Sequence, residues 1–157
     1  MATSTTLSVQ QERVALGRLW WVTLLAIAAA SAANLVVYVI ATALFEGPRR
    51  FTLLGPITIV VSTAVYLVVA AIVYALIGRF ARRPIRLFRR VSVVALLLSL
   101  LLPISAAITL PAPDAPDAPT VVTLIVMHII AAILTVGLFT TLARVTGDTN
   151  RESRIEI

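Results

Sequence analysis

Residues 79–110 decide the fold class, and they read RFARRPIRLFRRVSVVALLLSLLLPISAAITL. Six arginines fall between residues 79 and 90, and the next 20 residues, 91–110, carry no charge. A helix needs about 20 mostly apolar residues to cross a bilayer. The run 93–98 does not alternate between apolar and polar residues, as a strand of a membrane barrel would. The stretch therefore predicts a transmembrane helix beside a cationic loop.

Three further stretches have the same character, and none of the four contains Asp, Glu or Arg. Glycine–proline pairs at 47–48 and 55–56 and four prolines between residues 111 and 119 mark the breaks. The prediction is an all-α polytopic membrane protein, an antiparallel bundle of four transmembrane helices. The spans are residues 19–44, 57–77, 91–110 and 121–142. Residues 19–144 form the membrane domain, and residues 1–18 and 145–157 are tails.

The composition excludes several function classes. The chain is 60% hydrophobic and 13% charged, whereas soluble domains are roughly half apolar and a quarter charged. All 13 basic residues are arginine, there are 0 cysteines and there is 1 histidine. Disulfides, thiolate metal sites, cysteine nucleophiles and lysine Schiff bases are therefore excluded. No cofactor is expected.

The distribution of arginine predicts the topology. Only Arg49 and Arg50 lie between the first and second spans, and the other arginines lie in the two tails and in the loop between the second and third spans. The arginine-rich side of a membrane protein stays in the cytoplasm. Both termini and the middle loop are therefore predicted to be cytoplasmic, in the inner membrane of a bacterial cell.

A cleavable signal peptide is the alternative for the first span. Arg13 and Arg18 precede an apolar run that contains Ala30-Ser31-Ala32, which resembles a cleavage site. The apolar run continues to Leu44, however, and signal-peptide cores are only about 7–15 residues long. A retained first helix is therefore predicted.

Uncharged polar residues carry the remaining information within the spans. At a rise of about 1.5 Å per residue, Asn34 and His128 lie at the same depth, on the outer side of the midplane. We predict that the strongly polar side chains converge in the outer half of the membrane, with Asn34 as the hydrogen-bond partner of His128. The predicted cluster comprises Asn34, Tyr38, Ser62, Tyr66, Ser99, Ser105 and His128.

Two interpretations of this cluster stand side by side. In the first, the polar groups join helices through hydrogen bonds, each contributing on the order of 0.6–2 kcal/mol. In the second, they line a small pocket open toward the outer leaflet, since an ionisable residue within the membrane is a functional candidate. Pro103 is expected to kink the third helix, as a packing feature or as a hinge. Small residues predicted to allow close helix approach are Ala28, Ala32, Ala71 and Ala75.

The two loops that follow the first and second spans also carry predictions. Phe51, Leu53 and Leu54 are expected in the membrane interface. The middle loop sets the topology and is predicted to contact anionic lipid head groups. Its candidate contacts are Arg79, Arg82, Arg83, Arg86, Arg89 and Arg90. Nucleic-acid binding is not expected, because the loop is pinned to the bilayer at both ends.

Short segments spread along the chain carry a resemblance to a known family. They are Asn34-Leu35-Val36-Val37-Tyr38, residues 79–84 with Phe88-Arg89, residues 98–105, and Met127-His128. Together they resemble an uncharacterised family of small bacterial four-helix membrane proteins, a domain of unknown function. The segment 51–54 departs from that pattern. The resemblance implies a multi-pass membrane protein and no activity.

The sequence favours a non-enzymatic function. The leading prediction is a structural or accessory subunit of a larger membrane assembly, with the bilayer and other membrane subunits or copies of itself as partners. The alternative is a module that binds or transports a lipid, a quinone or a small apolar ligand in the outer-half pocket. An enzyme using His128 as acid or base is not expected, because no span supplies a carboxylate to orient it.

Overall fold

The computed structural model describes residues 16–111 and 114–143, and the regular elements in this part of the chain are all helices. They are α1 (Leu16–Leu44), α2 (Gly47–Arg50), α3 (Pro56–Phe80), α4 (Pro84–Thr109) and α5 (Ala118–Leu142). Four of them, all except α2, are long and apolar enough to cross a membrane. The predicted all-α, four-span fold is therefore confirmed.

Prolines mark where the helices begin. Pro48, Pro56, Pro84 and Pro119 each lie in the first turn of a helix, where the missing N–H costs no helical hydrogen bond. Consequently α4 begins well before residue 91, and α5 includes Pro119, which the sequence placed in a loop. An apolar run marks the part of a helix that lies in hydrocarbon, and the helix continues beyond it.

The α3–α4 connection is therefore much shorter than predicted. It consists of residues 81–83. Of the six arginines assigned to a middle loop, only Arg82 and Arg83 are in it. Arg79 belongs to the last turn of α3, and the other three lie on α4. We call this end of the bundle the arginine-rich end, and the opposite end, which carries α2, the α2 end.

The four long helices form a ring in the order α3, α1, α5, α4. Helix α1 packs extensively against α3 and α5, and α5 packs against α4. The seam between α3 and α4, which would close the ring, has the fewest contacts of the four. One side of the bundle is therefore loosely closed.

The buried face of α1 shows why its neighbours approach closely. Val22, Ala26 and Ala30 are fully buried, and their spacing of four places them on one face. Ala28 and Ala32, predicted for this role, are instead exposed. That prediction was wrong because α1 is apolar on all sides, so its sequence does not identify the face that packs. Ala71 and Ala75 on α3 do pack against the core.

An aromatic cluster fills the core near the arginine-rich end. Tyr74 of α3, Phe88 of α4 and Phe139 of α5 are almost completely buried. Their ring centroids lie 4.6 Å (Tyr74–Phe88), 5.6 Å (Tyr74–Phe139) and 5.9 Å (Phe88–Phe139) apart. Aromatic pairs at such distances are stabilised beyond their burial alone. The cluster holds α3, α4 and α5 together at this end.

The α2–α3 loop closes the other end. Leu54 is only 3% exposed and packs with Ile59 and Met127. It therefore lies in the core and not in the interface where it was predicted. Phe51 is half-buried against the same residues, whereas Leu53 is largely exposed.

Helix α5 is fixed at this end by Asp117. Its carboxylate accepts a hydrogen bond of 3.0 Å from the backbone N–H of Thr120, which satisfies one of the free donors at the helix start. Gly47 of α2 packs directly on this carboxylate, and a Cβ at that position would overlap it. A glycine at position 47 thus lets α2 rest against the start of α5.

Candidate functional site

A cavity of about 540 Å³ lies behind the loose seam between α3 and α4. Its walls come mainly from α3, α4 and α5, and most of the lining side chains are apolar. Phe88 of the aromatic cluster lies at one end, and Leu53 and Leu54 lie at the other. We call this cavity the α3–α4 cleft.

The cleft opens sideways. Tyr66 of α3 and Ala95 and Leu102 of α4 line it and are nevertheless exposed at the surface of the bundle. The surface they reach is the flank of two helices that are apolar enough to lie in a membrane. The exposed lining residues of α3 and α4 therefore open the cleft toward the flank of the bundle.

Five of the seven predicted cluster residues meet in the cleft. They are Asn34, Ser62, Tyr66, Ser99 and His128. Tyr38 packs beside Leu54 instead, and Ser105 is exposed and donates to the backbone carbonyl of Leu102. Helix rise predicts the position of a residue along the bundle, but it does not predict the direction in which its side chain points. The side chains of Tyr38 and Ser105 point away from the cleft.

Asn34 joins α1 to α3. It is 5% exposed, and its Nδ2 donates to Oγ1 of Thr63 at 3.3 Å. Its predicted partner was His128, so the structure corrects that pairing: the two residues share a depth but α1 turns the amide toward α3. The Oδ1 atom of Asn34 is buried and has no hydrogen-bond partner among the described residues.

His128 does not join helices. Its Nδ1 lies 2.7 Å from the backbone carbonyl oxygen of Leu124, one turn earlier on α5. A carbonyl only accepts, so Nδ1 carries the hydrogen and Nε2 of the neutral ring is an acceptor. The ring is half-buried and lines the cleft. Within residues 16–111 and 114–143 no group of His, Asp and Glu could hold a metal ion.

Three hydroxyl groups of the cleft donate hydrogen bonds within their own helices. Ser62 donates to the carbonyl of Ile59 at 3.2 Å, and Ser99 donates to that of Leu96 at 2.8 Å. Thr135, a lining residue outside the predicted cluster, donates to Ala131 at 2.7 Å. Such bonds within one helix do not link it to a neighbour. Among these side chains only Asn34 forms the predicted kind of hydrogen bond between two helices.

Pro103 lies in the wall of the cleft on α4. It is buried inside the helix and lines the cavity one turn from Ser99. Because proline has no N–H, it supplies no hydrogen bond to the carbonyl of Ser99. The kink expected at Pro103, as a packing feature or as a hinge, stays a prediction. The carbonyl of Ser99, which lacks the N–H that another residue at position 103 would donate, therefore lies beside the cleft.

The arginine-rich end is cationic and exposed. The six candidate arginines are all exposed, and none of them pairs with an acidic residue in the described ranges. At the α2 end, Arg50 forms an ion pair of 2.5 Å with Glu46, and Arg49 donates to the backbone carbonyl of Thr42. The two ends thus differ in free positive charge, and no arginine lines the cleft.

Comparison with known proteins places the chain in a family. A family model described as a family of unknown function (DUF6069) matches residues 14–145, which include all four long helices. Searches of curated proteins and of solved structures found no match. The resemblance to an uncharacterised family is therefore confirmed, and the chain belongs to the family of unknown function DUF6069.

Proposed function

We propose that this multi-pass membrane protein binds a lipid-soluble molecule in the α3–α4 cleft. The observation that carries the proposal is a cavity with mostly apolar walls behind the least-packed seam of the ring. Its volume of about 540 Å³ lies within the range of roughly 300–1,000 Å³ that small-molecule sites occupy. A molecule dissolved in the bilayer could reach it without crossing water.

Packing at the ends of the cleft supports entry from the side. The aromatic cluster closes the seam at the arginine-rich end, and Leu54 is packed into the core at the α2 end. A ligand that entered from the arginine-rich end would have to pass the packed aromatic rings. A lipid-soluble ligand passes only between α3 and α4, where few contacts would have to separate.

Filling the cleft should abolish retention of such a molecule. Ala95 and Ser99 line the cleft from successive turns of α4, so phenylalanine at both positions would occupy it. We expect wild-type protein, extracted in mild detergent, to carry a bound small molecule in a native mass spectrum. The Ala95→Phe/Ser99→Phe variant should lose that mass.

The matched control adds the same bulk to the neighbouring face of α4. Val94 and Leu98 are exposed and lie outside the cleft, so the Val94→Phe/Leu98→Phe variant should retain the small molecule. Equal retention in all three proteins would mean that the molecule binds elsewhere. A bare wild-type chain would contradict ligand binding.

An accessory role in a membrane assembly is the second candidate. Within the chain α4 buries only Pro84, Phe88 and Pro103, so most of this apolar helix is available to another subunit. The same native mass spectrum tests this role. Copurifying polypeptides that leave with α4 substitutions would support it, and a chain free of other polypeptides would oppose it.

We also propose that the exposed arginines contact anionic lipid head groups at a cytoplasmic surface of the inner membrane. Each arginine near such a surface contributes about 1 kcal/mol. Two observations support this placement: the side chains at the arginine-rich end are exposed, and no acidic residue of the described chain neutralises them.

A further inference from the structure

We propose that the α3–α4 cleft selects a neutral long-chain alcohol, whose hydroxyl group donates a hydrogen bond to Nε2 of His128. This inference rests on the proposed function and names the chemical class of the ligand. The class comprises apolar molecules with one hydroxyl group as the only strongly polar part, such as long-chain or polyprenyl alcohols.

The hydrogen bonding of His128 determines which group the ligand must provide. Its Nδ1 is committed to the carbonyl of Leu124 at 2.7 Å, so the neutral ring offers Nε2 as an acceptor. No described residue bonds to Nε2, although the ring lines the cleft. In hydrocarbon there is no water to provide the missing donor. A ligand hydroxyl supplies it.

Two other acceptors around the cleft also lack a hydrogen-bond donor. Oδ1 of Asn34 is buried without a partner, and the carbonyl of Ser99 receives no N–H from Pro103. The hydroxyl hydrogens of Ser62 and Ser99 are already donated to backbone carbonyls. At these positions a ligand that donates a hydrogen bond is favoured over one that only accepts.

Charge and depth exclude a phospholipid head group. None of the lining residues is an arginine, aspartate or glutamate, and an unpaired charge is costly to remove from water. His128 lies ten residues into α5, about 15 Å along the helix from its start. A single hydroxyl loses far less solvation on reaching that depth, and its apolar tail can leave through the α3–α4 seam.

The test compares two probes in which the hydroxyl hydrogen of one is replaced by a methyl group in the other. The probes are 1-hexadecanol and 1-methoxyhexadecane, which share the same chain and each carry one oxygen that can accept a hydrogen bond. Their dissociation constants are measured by native mass spectrometry on purified protein in detergent. We expect the alcohol to bind about three- to tenfold more tightly, the range that one hydrogen bond supplies.

Two variants connect that preference to His128. The His128→Phe variant keeps a ring of similar shape and should bind both probes with the affinity of the ether, so the ratio falls to about one; its unchanged ether affinity shows that it is folded. The Ser105→Ala variant removes an exposed hydroxyl outside the cleft and should keep the wild-type ratio.

The outcomes separate this inference from the function on which it rests. Equal affinities of both probes in wild type, or a preference that persists in His128→Phe, would overturn hydroxyl recognition by His128 while leaving ligand binding intact. Affinities of both probes that do not fall in Ala95→Phe/Ser99→Phe would instead overturn the cleft as the binding site.

Discussion

The Phe139→Ala variant is expected to lose on the order of 3 kcal/mol of stability, the usual effect of truncating a fully buried phenylalanine. Phe139 is 0% exposed and contacts both Tyr74 and Phe88. The variant leaves a cavity among three helices, and packing is what holds helices together in lipid. Loss of helical circular dichroism during titration with denaturing detergent measures the effect.

Phe80→Ala is the matched control. Phe80 ends α3 at the same end of the bundle and is 78% exposed. Its removal creates no cavity, so the unfolding midpoint should stay close to that of the wild type. Equal destabilisation by both substitutions would show that the aromatic cluster does not hold the arginine-rich end together.

Labelling of introduced cysteines should give an all-or-none difference between the two ends of the bundle. The chain has 0 cysteines, so a single substitution provides a unique reactive thiol. Thr52→Cys lies in the α2–α3 loop and Ala81→Cys lies in the α3–α4 loop. A maleimide that cannot cross membranes should label only Thr52→Cys in intact spheroplasts, because the arginine-rich end is predicted to be cytoplasmic.

Labelling of the same cells after lysis is the control for this experiment. After lysis both thiols should react, which shows that each is accessible in the folded protein. Labelling of Ala81→Cys alone before lysis would reverse the predicted orientation. Labelling of both before lysis would mean that the chain inserts in two orientations, and that the arginines do not fix its topology.

The number of helices and their approximate limits could be predicted from the sequence. Uncharged runs of sufficient length admit few alternatives in a bilayer, and prolines mark the starts. The proximity of Asn34 and His128 to a common polar region could also be predicted, because helix rise is fixed. Both residues do lie in one cavity.

The directions of the side chains could not be predicted in the same way. In a soluble helix the polar face reveals the buried face, but in α1 Ala28 is exposed and Ala30 is buried although both are apolar. Lipid and protein interior are alike in polarity, so packing decides which face is buried. For the same reason Asn34 was paired with His128 and not with Thr63.

The seam between α3 and α4 also had no signal in the sequence. A gap between helices depends on how their side chains fit together, and the lining residues Ala95, Leu96 and Leu102 resemble those of a packed interface. The burial of Leu54 could not be predicted either, since an apolar residue in a short loop can lie in the membrane interface or in the protein core. Only the three-dimensional arrangement distinguishes these cases.

Photocrosslinking in the native membrane tests the central claim, that the α3–α4 cleft holds a lipid-soluble ligand, most directly. A photoreactive amino acid is placed at position 99, which lines the cleft, or at position 98, which is exposed outside it. After irradiation, mass spectrometry should find one discrete lipid-soluble adduct at position 99 and a mixture of bulk phospholipids at position 98. The same phospholipid mixture at both positions would contradict the claim.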